Sequence, residues 1–236
     1  MSARFLGDDV AVVIPARNEA DRIRQTVTAS AGLPGVGLVV VVDDGSRDGT
    51  GAVARRAGAV VLRHARNRGK AAAMQSGANA VGLVDQRERR ERPRHLLFLD
   101  ADLAESAAQA GPLTDPVLAD RADMTIAVFA ATVKLGGHGL VVGLSGAGIR
   151  RAVGWQPAQP LNGQRCLTRA AFEAARPLAR GWGVETALTI DLLRQGFRVT
   201  EVEVELAHRA TGTGLGAQLH RAHQLADVAR ALAVRR

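Results

Sequence analysis

The feature that most limits how this chain can fold is one pattern repeated four times: an apolar run, a polar cluster that stops it, and then a segment with helical signals. Val36 to Val42 is the clearest instance, an almost uninterrupted apolar run halted by Asp43-Asp44-Gly45. A strand with one wet face alternates apolar and polar residues. A run without alternation needs apolar neighbours on both faces, as a strand does inside a parallel sheet covered by helices. Val10 to Ile14, ended by Pro15, is a first strand, and Ile23 and Val27 lie at helical spacing within Glu19 to Ser30. Ala59 to Leu62 and His95 to Leu99 read as the third and fourth strands, with helices expected from Asp48 and over the Ala-rich Arg68 to Val81. The βαβαβαβ alternation predicts an α/β architecture: a Rossmann-like, mainly parallel sheet with right-handed crossovers and flanking helices.

Farther on, Met124 to Phe129 reads as a fifth strand, Val184 to Leu193 as a helix, and Val199 to Leu206 as a strand with one wet face. Gly136 to Gly148 is rich in glycine and small apolar residues without a clear period, and reads as a mobile loop or broken helix. Asp85 to Arg94 reads as a solvated helix end and loop. Near the end, Leu219, Ala222, Leu225, Val228 and Leu232 recur on one helical face, with His220, Arg221, Arg230, Arg235 and Arg236 elsewhere. Such a helix packs on its domain or lies on anionic lipid, and packing is the safer reading. There is neither a repeat nor a linker, so residues 1–236, of which 47% are hydrophobic, are expected to form one domain.

Lys and Arg number 31 against 23 Asp and Glu, a formal charge of +8 that suits phosphates, nucleic acid or an anionic membrane surface. Nucleic acid is disfavoured because aromatic residues make up only 3% and Tyr is absent, leaving few platforms for stacked bases. Cys166 is the single cysteine, so an intramolecular disulfide is impossible and a cysteine zinc site is not expected. Met1 to Asp9 lacks the features of a secretory signal, and no apolar run approaches the roughly 18 residues of a membrane span. A cytoplasmic protein is the expectation, with peripheral contact at the inner face of the membrane and a homodimer left open.

In an open α/β sheet, ligands bind beyond the carboxyl ends of the strands. The clusters placed there are Pro15-Ala16-Arg17-Asn18-Glu19, Asp43-Asp44-Gly45-Ser46, Asn67-Arg68-Gly69-Lys70 and Asp100-Ala101-Asp102. Asp100 and Asp102 flank one residue, so both carboxylates reach one point and repel unless a cation lies between them. A hard ion such as Mg²⁺ or Mn²⁺, shared with substrate phosphates, answers that need; the plainer reading makes both residues caps or turn formers. Asp43 and Asp44 suit a nucleoside's N–H and hydroxyl groups, or simply a turn. Lys70, following Gly69 at a helix start, can set charge and backbone N–H groups against a diphosphate, and Arg17 can approach phosphate as well.

Taken together, VVIPARNEA from Val12, VVDDGSRDGT from Val41, NRGKAAAM from Asn67 and LDAD from Leu99 resemble the successive signatures of GT-A fold glycosyltransferases of family 2. The likeness extends to relatives such as polyprenyl-phosphate mannosyl- and glucosyltransferases and glucosyl-3-phosphoglycerate synthase. The resemblance implies that residues 1–105 bind the nucleotide sugar and residues 106–236 serve the acceptor. It implies that Pro15, Ala16, Glu19, Asp43 and Asp44 hold the nucleoside and that Lys70 meets the diphosphate. Asp100 and Asp102 match the DXD turn, whose second acid is the usual metal ligand. GWGVE, from Gly181 to Glu185, resembles the segment that presents an acid to the sugar or acceptor, so Glu185 joins Asp102 as a catalytic candidate. His208, after the last strand, matches the place where some relatives add a histidine to the metal. The loop where the family forms its acceptor region is apolar here, a departure from a phosphoglycerate-type site.

The function expected is metal-dependent transfer of a sugar from a UDP- or GDP-linked donor. The apolar loop, basic charge and amphipathic tail lean towards a polyprenyl phosphate or another membrane-associated acceptor. Two alternatives stand beside this. A sugar-phosphate nucleotidyltransferase is expected to carry a glycine-rich loop near the N-terminus, which is missing. The presence of both Asp100 and Asp102 argues against an inactive nucleotide-binding module, for which exchange of either acid for Ala should leave function intact.

Overall fold

The computed structural model of the chain describes residues 7–129, 139–206 and 215–235. Among them a seven-stranded sheet runs in the order β3-β2-β1-β4-β6-β5-β7. The first four strands are β1 (Val10–Ala16), β2 (Val36–Asp43), β3 (Val60–Arg63) and β4 (His95–Phe98), and the others are β5 (Met124–Phe129), β6 (Arg165–Leu167) and β7 (Val199–Val204). All neighbours pair in parallel except β6, which runs antiparallel between β4 and β5. The mainly parallel α/β expectation is met, and the antiparallel strand is an addition to it.

The apolar runs are explained by two cores. Val10, Val12 and Ile14 of β1 face one cluster with Val39, Val41, Leu97 and Leu99, while Ala11 and Val13 face the other with Val40, Val42, Leu96 and Phe98. Successive residues of a strand point to opposite faces, so a strand buried on both must be apolar throughout. Helix α1 (Ile23–Ala31) lies on the first face and α3 (Lys70–Arg87) on the second. Gly77 lets α3 lie flush, since a Cβ there would stand 2.3 Å from Val13 Cγ1.

Three expectations need correction. Helix α1 begins at Ile23 rather than Glu19, because the Asn18, Glu19 and Ala20 amides are bound by side chains of Ser46, Thr50 and Asp48, in the next loop and at the start of α2 (Thr50–Arg56). The charged run from Asp85 is not simply solvated. Helix α3 continues through Asp85, and Arg94 is buried with Nη1 2.7 Å from Asp85 Oδ1 and Nη2 2.6 Å from Glu88 Oε2. Lastly, most of the stretch expected to be a mobile loop or broken helix belongs to one continuous helix, α5 (Gly139–Val153), residues 136–138 lying outside the described residues. Val141, Ser145 and Ile149 are buried at fourfold spacing on α5, and its glycines permit close packing: a Cβ on Gly148 would stand 2.3 Å from Leu232.

The short α4 (Asp115–Leu118) leads into β5, and α6 (Arg169–Ala174) follows β6. Helix α7 (Val184–Arg194) precedes β7, and α8 (Leu215–Ala233) packs against α5, α7 and the 181–183 turn. Val228 and Ala231 are buried and Leu225 is exposed, so α8 covers its own domain, through a face rotated slightly from the one the sequence suggests. No described helix is long and apolar enough to cross a membrane.

Candidate active site

Strand order reverses between β1 and β4: the chain moves outward through β2 and β3, then returns to the far side of β1. Such a switch opens a crevice at the carboxyl edge. Register levels that edge, with Ala16 opposite Asp43 and Asp43 opposite Arg63, so the polar clusters after successive strands come together.

The first two loops are bound to each other. Asn18 N donates to Ser46 Oγ (3.0 Å), Glu19 N to Thr50 Oγ1 (2.9 Å) and Arg47 N to Asn18 Oδ1 (3.0 Å). Buried Asp44 ties in the third loop, accepting from Arg68 N and Gly69 N, both at 2.8 Å, while His64 Nδ1 lies 2.7 Å away. Asp43 Oδ1 accepts from Ser46 N at 2.8 Å, and its Oδ2 faces Arg63 Nε at 3.6 Å. Both acids therefore act as loop fasteners, the turn-forming role weighed for them from sequence. Any bond to a nucleoside uses the acceptor capacity that remains, about four lone-pair sites per carboxylate in all. Pro15 and Ala16 line the end of β1, Glu19 is half-buried, and Arg17 is exposed at the rim.

Deeper in the crevice three distant residues converge. Lys70 Nζ, at the first residue of α3, stands 2.8 Å from Asp100 Oδ1 and 3.2 Å from Glu185 Oε1. Glu185, in the first turn of α7, is only 4% exposed. Burial works against the Lys70 ammonium, but the carboxylates of Asp100 and Glu185 outweigh it and hold its pKa above the ordinary lysine value. The Asp100–Asp102 turn is pinned from α1. Thr26 Oγ1 donates to Ala101 O (2.8 Å) and accepts from Ala104 N (2.9 Å), and Arg22 Nη1 reaches Asp102 O (3.2 Å).

Asp100 and Asp102 thus offer hard oxygen donors on one fixed turn, a set that fits Mg²⁺ or Mn²⁺ when substrate phosphates complete the coordination. Among the described residues no cluster of three or more His, Cys, Asp or Glu side chains forms a metal site by itself. His208 lies outside the described residues.

The structure adds Gly163, Gln164 and Arg165, which the sequence reading passed over. Gln164 Nε2 donates to Asp100 Oδ2 at 2.7 Å, and Gln164 Oε1 is buried without a partner. Gly163 lies flat against the pair: a Cβ there would be 2.2 Å from Lys70 Nζ. Arg165, 1% exposed, donates from Nε to Asn162 O (2.8 Å), from Nη2 to Pro160 O (3.0 Å), and from Nη1 to Glu185 O (3.0 Å) and Thr189 Oγ1 (2.9 Å). It ties the loop before β6 to the helix start carrying Glu185, and burial lowers its pKa to about 10 despite the Glu185 and Glu201 charges. A signal was present in the Asn162-Gly163 turn dipeptide.

Comparison places the fold and then the family. The chain superposes on glucosyl-3-phosphoglycerate synthase from Mycobacterium tuberculosis, solved with Mn²⁺ and UDP-glucose, with a TM-score of 0.75 over 96% of this chain and 79% of that one at 24% identity. At that identity the likeness establishes the GT-A fold. The family model for glycosyl transferase family 2 matches residues 11–138, more than half of the chain, and the chain belongs to that family. Among curated proteins it is 28% identical over 211 residues to glycosyltransferase AglJ of Haloferax volcanii, covering 87% of this chain and 65% of that protein. It is also 34% identical over 119 residues to the uncharacterized protein MJ1222 of Methanocaldococcus jannaschii, covering 50% of this chain and 46% of that one. The chain therefore spans less than two thirds of either relative's length.

Proposed function

We propose that this chain transfers a sugar from a UDP- or GDP-linked donor to an acceptor, with Mg²⁺ or Mn²⁺ held by Asp102 and Asp100. The observation that carries the reading is the convergence of Lys70, Asp100 and Glu185 at the sheet's switch point, beside the pinned Asp102 turn. The bound ion would supply positive charge to the diphosphate as its bond to the anomeric carbon breaks. Lys70 gives the diphosphate a second cationic contact, in place before the bond to the anomeric carbon breaks. Pro15, Ala16, Arg17, Glu19, Asp43 and Asp44 form the nucleoside end of the crevice. Glu185 faces the sugar, where it orients the acceptor and receives the proton if the acceptor is a hydroxyl. An ionised phosphate acceptor needs no such base.

The net charge of +8 and the exposed Leu140 and Leu144 of α5 support a polyprenyl phosphate or another membrane-associated acceptor, reached by peripheral contact. The decisive experiment is thermal stabilisation by UDP- and GDP-sugars with and without Mn²⁺, beside Asp102→Ala. A metal-dependent rise that is lost in the variant, followed by transfer to polyprenyl phosphate in vesicles, is expected. A folded protein that no donor stabilises at millimolar concentration refutes the reading in favour of an inactive domain.

A further inference from the structure

Of the 31 basic residues, 29 are arginines; Lys70 and Lys134 are the only lysines. One of the two stands where the site's anions meet, its ammonium 2.8 Å from Asp100 Oδ1 on the turn that would hold the metal. We propose that Lys70 is the resident counter-cation of the Asp100 turn, and that donor binding exchanges it: its ammonium moves to the diphosphate as the divalent ion takes its place on Asp100. This rests on the donor-site reading given above and adds to it a rule for binding, namely that metal and nucleotide bind as a coupled pair.

Three observations support the exchange. Both Asp100 oxygens already have protein donors, Lys70 Nζ on Oδ1 at 2.8 Å and Gln164 Nε2 on Oδ2 at 2.7 Å. Each oxygen keeps a second lone pair, but a divalent ion arriving alone would have to share Asp100 with the Lys70 ammonium, like charge against like. Second, Lys70 cannot retreat towards β6, where Gly163 leaves no more room than the bare backbone allows, yet its side chain is 22% exposed and so is not enclosed on every side. Third, an ammonium is a point charge on a flexible stem with three rotatable donors, suited to changing partners, whereas a guanidinium is a rigid fork. A diphosphate gives the departing ammonium a new anionic partner and so removes the obstacle to the metal. By linkage the metal helps the nucleotide by the same factor.

Two measurements test this. In protein labelled with ¹³C at lysine Cε, two lysine signals are expected, and Lys134→Arg identifies Lys70's. Mg²⁺ alone should leave the Lys70 signal in place, and Mg²⁺ with a nucleoside diphosphate, UDP and GDP tried in turn, should shift it. Separately, Mn²⁺ binding without nucleotide, read from the electron paramagnetic resonance of the free ion, should tighten in Lys70→Met. The expected gain is about five- to 150-fold over both the wild type and Arg68→Met, which removes one exposed charge from the same loop. The exchange is overturned, with the donor site intact, if Mg²⁺ alone shifts Lys70 as far as the Mg²⁺–nucleotide pair does. Mn²⁺ affinity in Lys70→Met no better than in Arg68→Met overturns it equally. Should Lys70→Met fail to fold, the wild-type spectra decide alone. If no nucleoside diphosphate with Mg²⁺ binds the wild type by calorimetry, the donor-site reading falls and the exchange falls with it.

Discussion

Gly163→Ala isolates the contact on which the centre depends. The added methyl would lie 2.2 Å from Lys70 Nζ and 3.4 Å from Asp100 Oδ1, with no backbone atom among its nearest neighbours. The ammonium must withdraw by more than 1 Å to restore an ordinary contact of about 3.5–4 Å. That breaks its 2.8 Å hydrogen bond to Asp100 and disturbs the 3.2 Å pair with nearly buried Glu185. A hydrogen bond to a charged group contributes about 1.5–3 kcal/mol, and a domain of this size loses about 2–4 °C in Tm per kcal/mol. The expected fall in Tm is therefore about 3–12 °C. Differential scanning calorimetry of Gly163→Ala, Lys70→Ala and the double variant separates the cause. With the lysine end removed the methyl has space, so Gly163→Ala in the Lys70→Ala background should cost under about 0.5 kcal/mol, and the coupling should equal nearly the whole single-variant loss. Equal losses in both backgrounds would refute the argument, placing the strain in the loop itself.

Asp85→Ala removes one partner of a buried pair and should cost about 3–5 kcal/mol, a fall in Tm of at least about 6 °C by thermal denaturation; a change within about 1 °C would mean that the run is solvated after all. His95 is held below the ordinary histidine pKa of 6.5, mainly by burial with Asp9 opposing, so the unfolded chain takes up this proton at higher pH than the folded one. Its stabilising contribution is therefore complete above pH 6.5 and declines as pH falls below that value. Melting curves between about pH 7.5 and 5 should slope less in His95→Gln than in the wild type, and an unchanged slope would contradict this. Burial pushes the Cys166 thiol up, so Ellman's reagent at pH 8 should label denatured protein and leave native protein unlabelled; rapid native labelling would show that the β4–β6–β5 region opens.

The first half of the fold was legible because β1, β2 and β4 are covered on both faces, and such strands leave runs with no polar interruption. Their polar ends were legible for the same reason: the change from apolar to charged marks the sheet edge. Helix α5 was obscured because Gly143, Gly146 and Gly148 erase the periodicity that sequence reading depends on, although Gly148 is what lets the helix approach α8. Strand β6 has three residues, too few for any period, and its antiparallel direction is set by the neighbours it pairs with. The Asp85–Arg94 pair is local in sequence, but charges distant in sequence flank it: Asp8 lies 3.6 Å from Arg94 and Arg169, which opens α6, 3.6 Å from Asp85.

The site divides along the same line. The Asp100–Asp102 turn announces itself because it comes just after β4, and Lys70 because it opens the helix after β3, so both inherit their place from the sheet. Glu185 reaches them from a helix start, and what fixes it there is Arg165, whose guanidinium binds the Glu185 carbonyl and, at the same time, carbonyls of the loop that carries Gly163 and Gln164. Inserting β6 antiparallel between β4 and β5 brings that loop to the carboxyl end of β4, as the pairing of Phe98 with Arg165 requires. Among the described strands, the one that breaks the parallel pattern thus closes the crevice over Asp100, and it does so through residues whose importance depends on direction rather than composition.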